Sequence, residues 1–374
     1  MKTRTIAGIA TLALASAAQA AERLVPEQYA TIEAAVNASY PNDVVSLAPG
    51  TYQIGSVGLP SHTLLITGRG TREQTVVTGA GFVIGTGNGA RTIAHLTMRG
   101  CTAYGAVEVR AASASIVDVS FENCNQGVFA TSPTGGSVPA SFVQTTDCRF
   151  KSNVRGGYAY INSSWAALRC QFIENANPGG TGGAASVERV IGTSVASFTD
   201  CVFIRNSASR GGAVGMRFGG ESYFNRCYFE GNSATDSGAV SWFEFGGSVG
   251  MENGTFCGHS AADLAVSWGN GGGNQFYPGG CPDCNGDGYV DKGQILMGQL
   301  ADANSNGVAD ICDLPTCQDA DLFRDGQING ADLGALLTQW GPANANTVSD
   351  INHDGMVSGA DLGLLLTFWG ACTN

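Results

Sequence analysis

Residues 281–374 carry 13 Asp, no Glu and only two cations, Lys292 and Arg324, so they hold nearly all of the chain's net charge of −12. Within that stretch Asp350, Asn352, Asp354, Gly355, Ser358 and Asp361 fall at places 1, 3, 5, 6, 9 and 12 of a twelve-residue run. That spacing wraps side-chain oxygens around a hard cation, with Gly at the sharp turn, and the chemistry it predicts is calcium binding. A twin lies 29 residues earlier, with Asp321, Asp325, Gly326, Asn329 and Asp332. There Phe323 stands where the third-place oxygen belongs, so the twin is expected to bind more weakly. Two further Asp loops precede them: Asp283, Asn285, Asp287, Gly288 and Asp291, then Asp302, Asn304, Asn306, Gly307, Asp310 and Asp313. A solvating acidic tail would mix in Glu. Aspartate alone points to metal loops, with calcium as the cofactor.

A second chemistry sits further upstream. Arg155 and Arg210 each immediately precede Gly-Gly, and a guanidinium fork suits a carboxylate. Tyr158 and Tyr160 follow Arg155 at alternate positions, where outward rings would stack on a pyranose. These four are the candidate ligand-binding residues, and the ligand they imply is an acidic glycan. None of the four His sits beside a Ser or Cys in a nucleophile pattern. His62 falls in a loop, His95 in a strand, His259 in a turn and His353 at a non-ligand place of the 350–361 loop.

A repeat positions these residues. Cys-x-Phe-x-x-Asn recurs as Cys148, Phe150, Asn153; Cys170, Phe172, Asn175; Cys201, Phe203, Asn206; and Cys227, Phe229, Asn232. Degenerate copies centre on Phe121 and Phe256, with His259 in the place of the Asn. Successive Phe are 22 to 31 residues apart, the length of one solenoid coil. Small turns follow at Gly156-Gly157, Gly182-Gly183, Gly211-Gly212 and Gly238-Ala239, and a second short strand follows each turn. Period-2 alternation sends the Cys and Phe inward to stack coil on coil. The Asn form a side-chain ladder at one corner.

Aligned coils bring like positions together. The column before each Cys reads Asp147, Arg169, Asp200, Arg226, and a second-strand column reads Asn162, Glu188, Arg217, Phe243. Opposite signs on adjacent coils satisfy each other as a surface ladder and leave no carboxylate pair for hydrolysis. Trp165, Trp242 and Trp268 read as packing residues.

Phe-x-x-Asn followed by Gly-Gly-Ala-Val resembles the repeat of chlamydial polymorphic outer-membrane proteins, which implies a right-handed parallel β-helix. The opening, Ala30 to Val36 and then Val44 to Tyr52, looks like the entrance of pectin-lyase-like β-helices, where a short amphipathic helix caps the first coil. The resemblance covers about residues 25–280 and implies a fold shared by enzymes, adhesins and binding proteins. Asp in the twelfth place, with Gly330–Trp340 nearly repeated as Gly359–Trp369, resembles a type I dockerin, which implies a cohesin-like partner. Dockerins that assemble cellulosomes carry Ser or Thr pairs where this chain has Gly330-Ala331 and Gly359-Ala360. The Asp loops with interleaved Cys look like thrombospondin type 3 calcium repeats.

Lys2 and Arg4 before the apolar Ile6–Ala15 stretch, with Ala18-Gln19-Ala20, read as a signal peptide cut after Ala20, so the chain is expected to be secreted. No later stretch is long and apolar enough to span a membrane, and no basic stripe exists to neutralise nucleic-acid phosphates. Export permits disulfides. Cys101 to Cys257 lie in the repeat region, and the better disulfide candidates are Cys281, Cys284, Cys312, Cys317 and Cys372, with Cys317 and Cys372 at the two ends of the last module. The expected organisation is a signal peptide over 1–20, an all-β parallel β-helix over 21–280, a calcium-loop linker over 281–318 and a small α-helical dockerin-like domain over 319–374. The expected function is binding of a polysaccharide or cell-surface glycan without catalysis. The alternatives are a polysaccharide lyase or glycoside hydrolase in polysaccharide catabolism, and a purely structural adhesin filament.

Overall fold

A computed structural model describes residues 20–133, 139–243, 247–259, 263–265, 267–284, 286–296, 298–303, 308–312, 315–344, 347–352 and 355–372. Residues 1–19 of the expected signal peptide (1–20) lie outside them, as do the candidate ligands Asn285, Asn304, Asn306, Asp313 and Asp354, and His353.

The repeat winds into a parallel β-solenoid of about nine turns. From Ser141 to Ala265 each coil has three strands, one more than the repeat pattern predicts, whereas earlier coils run two of them together, as in Ser113–Glu122. In one coil they are Ser141–Thr146, Arg149–Lys151 and Arg155–Tyr160. Equivalent strands of successive coils pair in register and build three sheets, here called a, b and c in that order. The sheet a strand escaped the motif because a single corner residue in the left-handed region separates it from the repeat Cys. Asp147, Arg169, Asp200 and Arg226 hold φ between 50° and 55°. A second corner column, Ser152, Glu174 and Arg205, does the same after sheet b. Non-glycine residues in that region cost roughly 1–2 kcal/mol each, so the parallel pairing on either side holds every corner against its own preference.

The interior is an aromatic column. Phe121, Phe150, Phe172, Phe203, Phe229, Phe256 and Phe276 stack as near-parallel rings with centroids 4.6 to 4.9 Å apart. Register pairs Phe150 with Phe172, Phe172 with Phe203 and Phe203 with Phe229. Trp165 is buried and meets Phe150, Phe172 and Phe198 edge-on. Trp268 packs partly buried against the same core. At the corner after sheet b, Asn153, Asn175, Asn206 and Asn232 form a continuous ladder. The Nδ2 of Asn153, Asn175 and Asn206 donates to the next Oδ1 at 2.9 Å, and all four Nδ2 donate to a Phe carbonyl of the preceding coil. His259 Nε2 continues it by accepting from Asn232 N. Cys101, Cys124, Cys148, Cys170, Cys201 and Cys227 are buried free thiols. Burial pushes Cys148 and Cys201 up, which keeps them neutral and unreactive.

Cys257 departs from that row. It follows Phe256 by one residue, where the repeat Cys precede their Phe by two, so alternation turns it outward and it joins Cys281. The entrance is closed by α1 (Ile32–Asn37), capped by the Thr31 side chain and burying Ile32, Ala35 and Val36.

After the last coil the chain doubles back. Helix α2 (Asp291–Leu296), Cys281 and Val290 lie on the outer face of sheet b, against Val202, Ile204 and Tyr228. Arg205 covers the Tyr289 ring at 4.7 Å. Cys284 and Cys312 are bridged. Then come α3 (Cys317–Ala320), α4 (Gly330–Thr338) and α5 (Gly359–Thr367). The Gln327–Ile328 pair bonds Gly370–Ala371 beyond α5, and Met356–Val357 bonds Gly341–Pro342 beyond α4. Each copy of the duplicated loop-helix thus pairs with the tail of the other. Leu336, Leu365, Ile328 and Val357 form their shared core, and the Cys317–Cys372 disulfide ties its ends.

Candidate functional site

Tyr158 and Tyr160 alternate with the buried Ala159 on sheet c and therefore face outward. Register sets Glu108, Phe129, Tyr158 and Ser186 in one outward row, and Arg110, Thr131, Tyr160, Glu188 and Arg217 in the next. The position beside Glu188 is therefore Tyr160 and not Asn162, because a sharp corner at Ile161 and Asn162, both at φ 46°, ends the strand earlier than repeat alignment suggests.

The outward rings run together. Phe129 lies 5.4 Å from Tyr158 and 6.2 Å from Tyr160, the two Tyr are 5.2 Å apart, and Tyr104 extends the row at 6.2 Å from Phe129. Tyr104 is 70% exposed, and Tyr158 and Tyr160 are half-buried. Neither Phe129 nor Tyr104 carries a repeat signature. Only the coil register, which sets Phe129 opposite Tyr158, brings them in.

Charged groups close the inner end of this aromatic floor. Arg155 opens the same strand and its guanidinium covers the Tyr158 ring at 4.3 Å, with a buried Nε that has no hydrogen-bond partner. Burial lowers the Arg155 pKa from its usual value, and Glu188 and Tyr158 pull the other way. Burial, reinforced by Glu188, lifts the Tyr158 phenol far above its ordinary value, so it stays a neutral donor. Glu188 is almost fully buried and meets Arg217 at 3.3 Å. At the outer edge Arg110 grips Glu108 through two hydrogen bonds of 2.7 and 2.9 Å.

The insertions after the Asn ladder explain the shape. Ala176–Thr181 and Ser207–Arg210 pair as a small sheet of their own. They fold over sheet c, where Ser186 Oγ donates to the Thr181 carbonyl and a Cβ on Gly215 would meet Thr181 and Gly182 backbone. Ser186 is consequently buried although it points outward. The sheet is open at Phe129, Tyr158 and Tyr160 and roofed one coil later. Arg155 and Arg210, equivalent in the sequence repeat, part here: Arg155 pairs with Gln126 in sheet c, whereas Arg210 pairs with Thr181 in the roof.

The corner column forms two ion pairs, as its alternating signs predict. Arg169 holds Asp147 through two bonds of 2.7 Å and lowers that carboxyl, and Arg226 holds Asp200 at 2.6 and 2.7 Å. Asp118 bonds both Arg72 and His95. His62 meets Ser39. Among the described residues the outer face of sheet c holds no pair of free carboxylates.

In the C-terminal module, Asp332 and Asp361 are fully buried, and Asp321 and Asp350 nearly so. Asp361 accepts from the amides of Ile351, Asn352 and Ser358, and Asp332 from those of Phe323 and Asn329. Asp321 and Asp350 accept from the Gly326 and Gly355 amides. Asp325 accepts from Gln327 N, and Asn329 and Ser358 cap α4 and α5. Phe323 is 61% exposed and gives no oxygen. These carboxylates are satisfied by backbone amides, and what points to calcium is the spacing of the oxygens in each loop. In the first Asp loop Asp283 accepts from Gly286 and Gly288, and buried Asp291 accepts from Cys284 N while its Oδ1 has no partner. Asp287 bonds Gln294, and Asp310 accepts from Ala303 N beside Asp302.

No protein-family profile and no curated protein matches the chain. Among solved structures, an alginate lyase of the PL6 family is similar at 12% identity and a TM-score of 0.26, over 68% of this chain and 40% of that one. The catalytic domain of Agl-KA is similar at 12% identity and a TM-score of 0.26, over 65% of this chain and 63% of that one. The chain spans less than two thirds of the length of either, and no helix among its described residues is long and apolar enough to cross a membrane.

Proposed function

We propose that this chain is an exported, calcium-loaded β-solenoid protein that binds an acidic polysaccharide across the outer face of sheet c. The observation that carries the reading is the Tyr104, Phe129, Tyr158, Tyr160 floor ending at Arg155, whose buried Nε lacks a partner. Aromatic faces take the apolar faces of pyranose rings, and a guanidinium fork takes a uronate carboxylate. The roof over Ser186 gives the bound chain an end wall. Calcium would be held by Asp321, Asp325, Asn329 and Asp332 and by Asp350, Asn352, Ser358 and Asp361. Its part is to neutralise buried carboxylates and fix the two loops. The paired loop-helix copies support a dockerin-like role in docking to a cohesin-like or other surface domain, and the coil repeat supports kinship with the chlamydial repeats.

A second reading is bond cleavage by β-elimination. It is favoured by Tyr158, a neutral phenol beside the Glu188 carboxylate and the Arg155 cation. Arg155 would neutralise the uronate, Glu188 would accept the proton next to it, and the phenol would protonate the leaving oxygen. The test is retention of the protein on immobilised polygalacturonate, alginate and a neutral glucan, with chain-length analysis of each polymer. Binding predicts retention on the acidic polymers alone, lost in Tyr158→Ala and Arg155→Ala. Equal retention of those variants would end the binding reading, and shortened unsaturated products lost in Tyr158→Phe would establish the second.

A further inference from the structure

Sheet a carries a separate cleft of about 260 Å³ on its outer face, bordered by Thr199, Tyr223, Asn225, Gly250, Glu252 and Gly269. Its shape follows from one row of the register, in which Tyr223, Gly250 and Gly269 are direct neighbours on successive coils. The two missing side chains leave a trough, and the Tyr223 ring reaches into it. A Cβ built on Gly250 would meet Tyr223 Cδ1 at 2.9 Å. The ring is thus laid over the glycine backbone with its other face in solvent, 43% exposed. Its hydroxyl is fixed by donation to Glu221 Oε2 at 3.0 Å. Beside it runs the row Asn225 and Glu252. Asn225 Oδ1 accepts no hydrogen bond, so turning its amide toward a ligand forfeits none at that oxygen. Glu252 is exposed. The cation at that corner, Arg226, is engaged by both oxygens of Asp200.

We propose that this cleft is a second saccharide site, taking a pyranose that carries hydrogen-bond donors and no negative charge, an amino sugar above all. A ring held flat, a shallow concavity and a few convergent acceptors are what a sugar subsite requires. The sign of the charge sets its preference. Glu221 and Glu252 flank Tyr223 and Asn225, whereas the sheet c platform offers Arg155. The two faces therefore select opposite ligands, and one protein bridges an acidic and a basic glycan.

Calorimetric titration of the full chain with a glucosamine hexamer tests this, with a galacturonate hexamer as the counter-probe. The wild type binds the glucosamine hexamer saturably, more weakly as salt rises. Tyr223→Ala lowers that affinity at least tenfold, and Glu252→Gln lowers it several-fold and flattens the salt dependence. Tyr158→Ala leaves it unchanged. Tyr223 is a surface residue, so the variant keeps the wild-type melting temperature. Gly250→Val, which pushes the ring off its seat, provides a second route to the same loss. Absence of saturable binding by the wild type, or equal affinity in Tyr223→Ala, would overturn the site.

Discussion

Asn206 sits in the middle of the amide ladder, accepting from the backbone and side chain of Asn175 and donating to the Phe172 carbonyl. Asn206→Ala leaves those buried groups unpaired, at on the order of 3 kcal/mol, and is expected to lower the midpoint of chemical denaturation accordingly. Arg169→Ala removes a geometrically better-formed pair with Asp147, yet its solvent exposure predicts no measurable change in the same experiment. A surface pair that proved the costlier would show that the ladder is not what holds the corner. The ladder and the Phe column were legible in the sequence because one motif marks both. Phe129 and Tyr104 were not, since an aromatic residue outside the motif gains meaning only from what the next coil sets beside it. The Cys257 to Cys281 bridge was equally hidden, although counting from Phe256 already turns Cys257 outward.

At the level of elements, the sheet a strands went unread because one left-handed residue at each corner breaks the alternation that marks a strand. The docked segment over sheet b is likewise invisible in composition, since Asp loops spell metal and not packing. Its floor includes Glu230, buried against Gly293 and bonded by the Tyr228 hydroxyl at 3.0 Å, with Arg205 and Asp291 nearby. Burial raises the Glu230 carboxyl above its ordinary value. A raised carboxyl contributes stability at low pH that is lost as pH rises through its folded pKa. Glu230→Gln keeps the acceptor for Tyr228 and removes that loss. The variant is expected to melt higher than the wild type at neutral pH and equally at acidic pH, and an identical difference at both would refute the assignment. Chelation of the full chain should lower the temperature at which the Trp340 and Trp369 fluorescence changes. Asp350→Ala should act more strongly than Asp321→Ala, because Phe323 already weakens the first loop.

Across the whole molecule, winding sorts function by face. The interior carries aromatic stacks, amide ladder and buried thiols. The returning chain covers sheet b at Val202, Ile204 and Tyr228, whereas sheet a presents Glu221 and Glu252 and sheet c presents Arg155 beside the paired Glu108 and Glu188. Whether each face selects its own ligand is read out in a single titration. A galacturonate hexamer is titrated into the wild type, Tyr158→Ala and Tyr223→Ala, with heat measured at each addition. Loss of affinity by about tenfold or more, equivalent to about 1.4 kcal/mol, is expected in Tyr158→Ala, with Tyr223→Ala matching the wild type. Equal affinity in all three proteins would mean that sheet c does not take the acidic ligand.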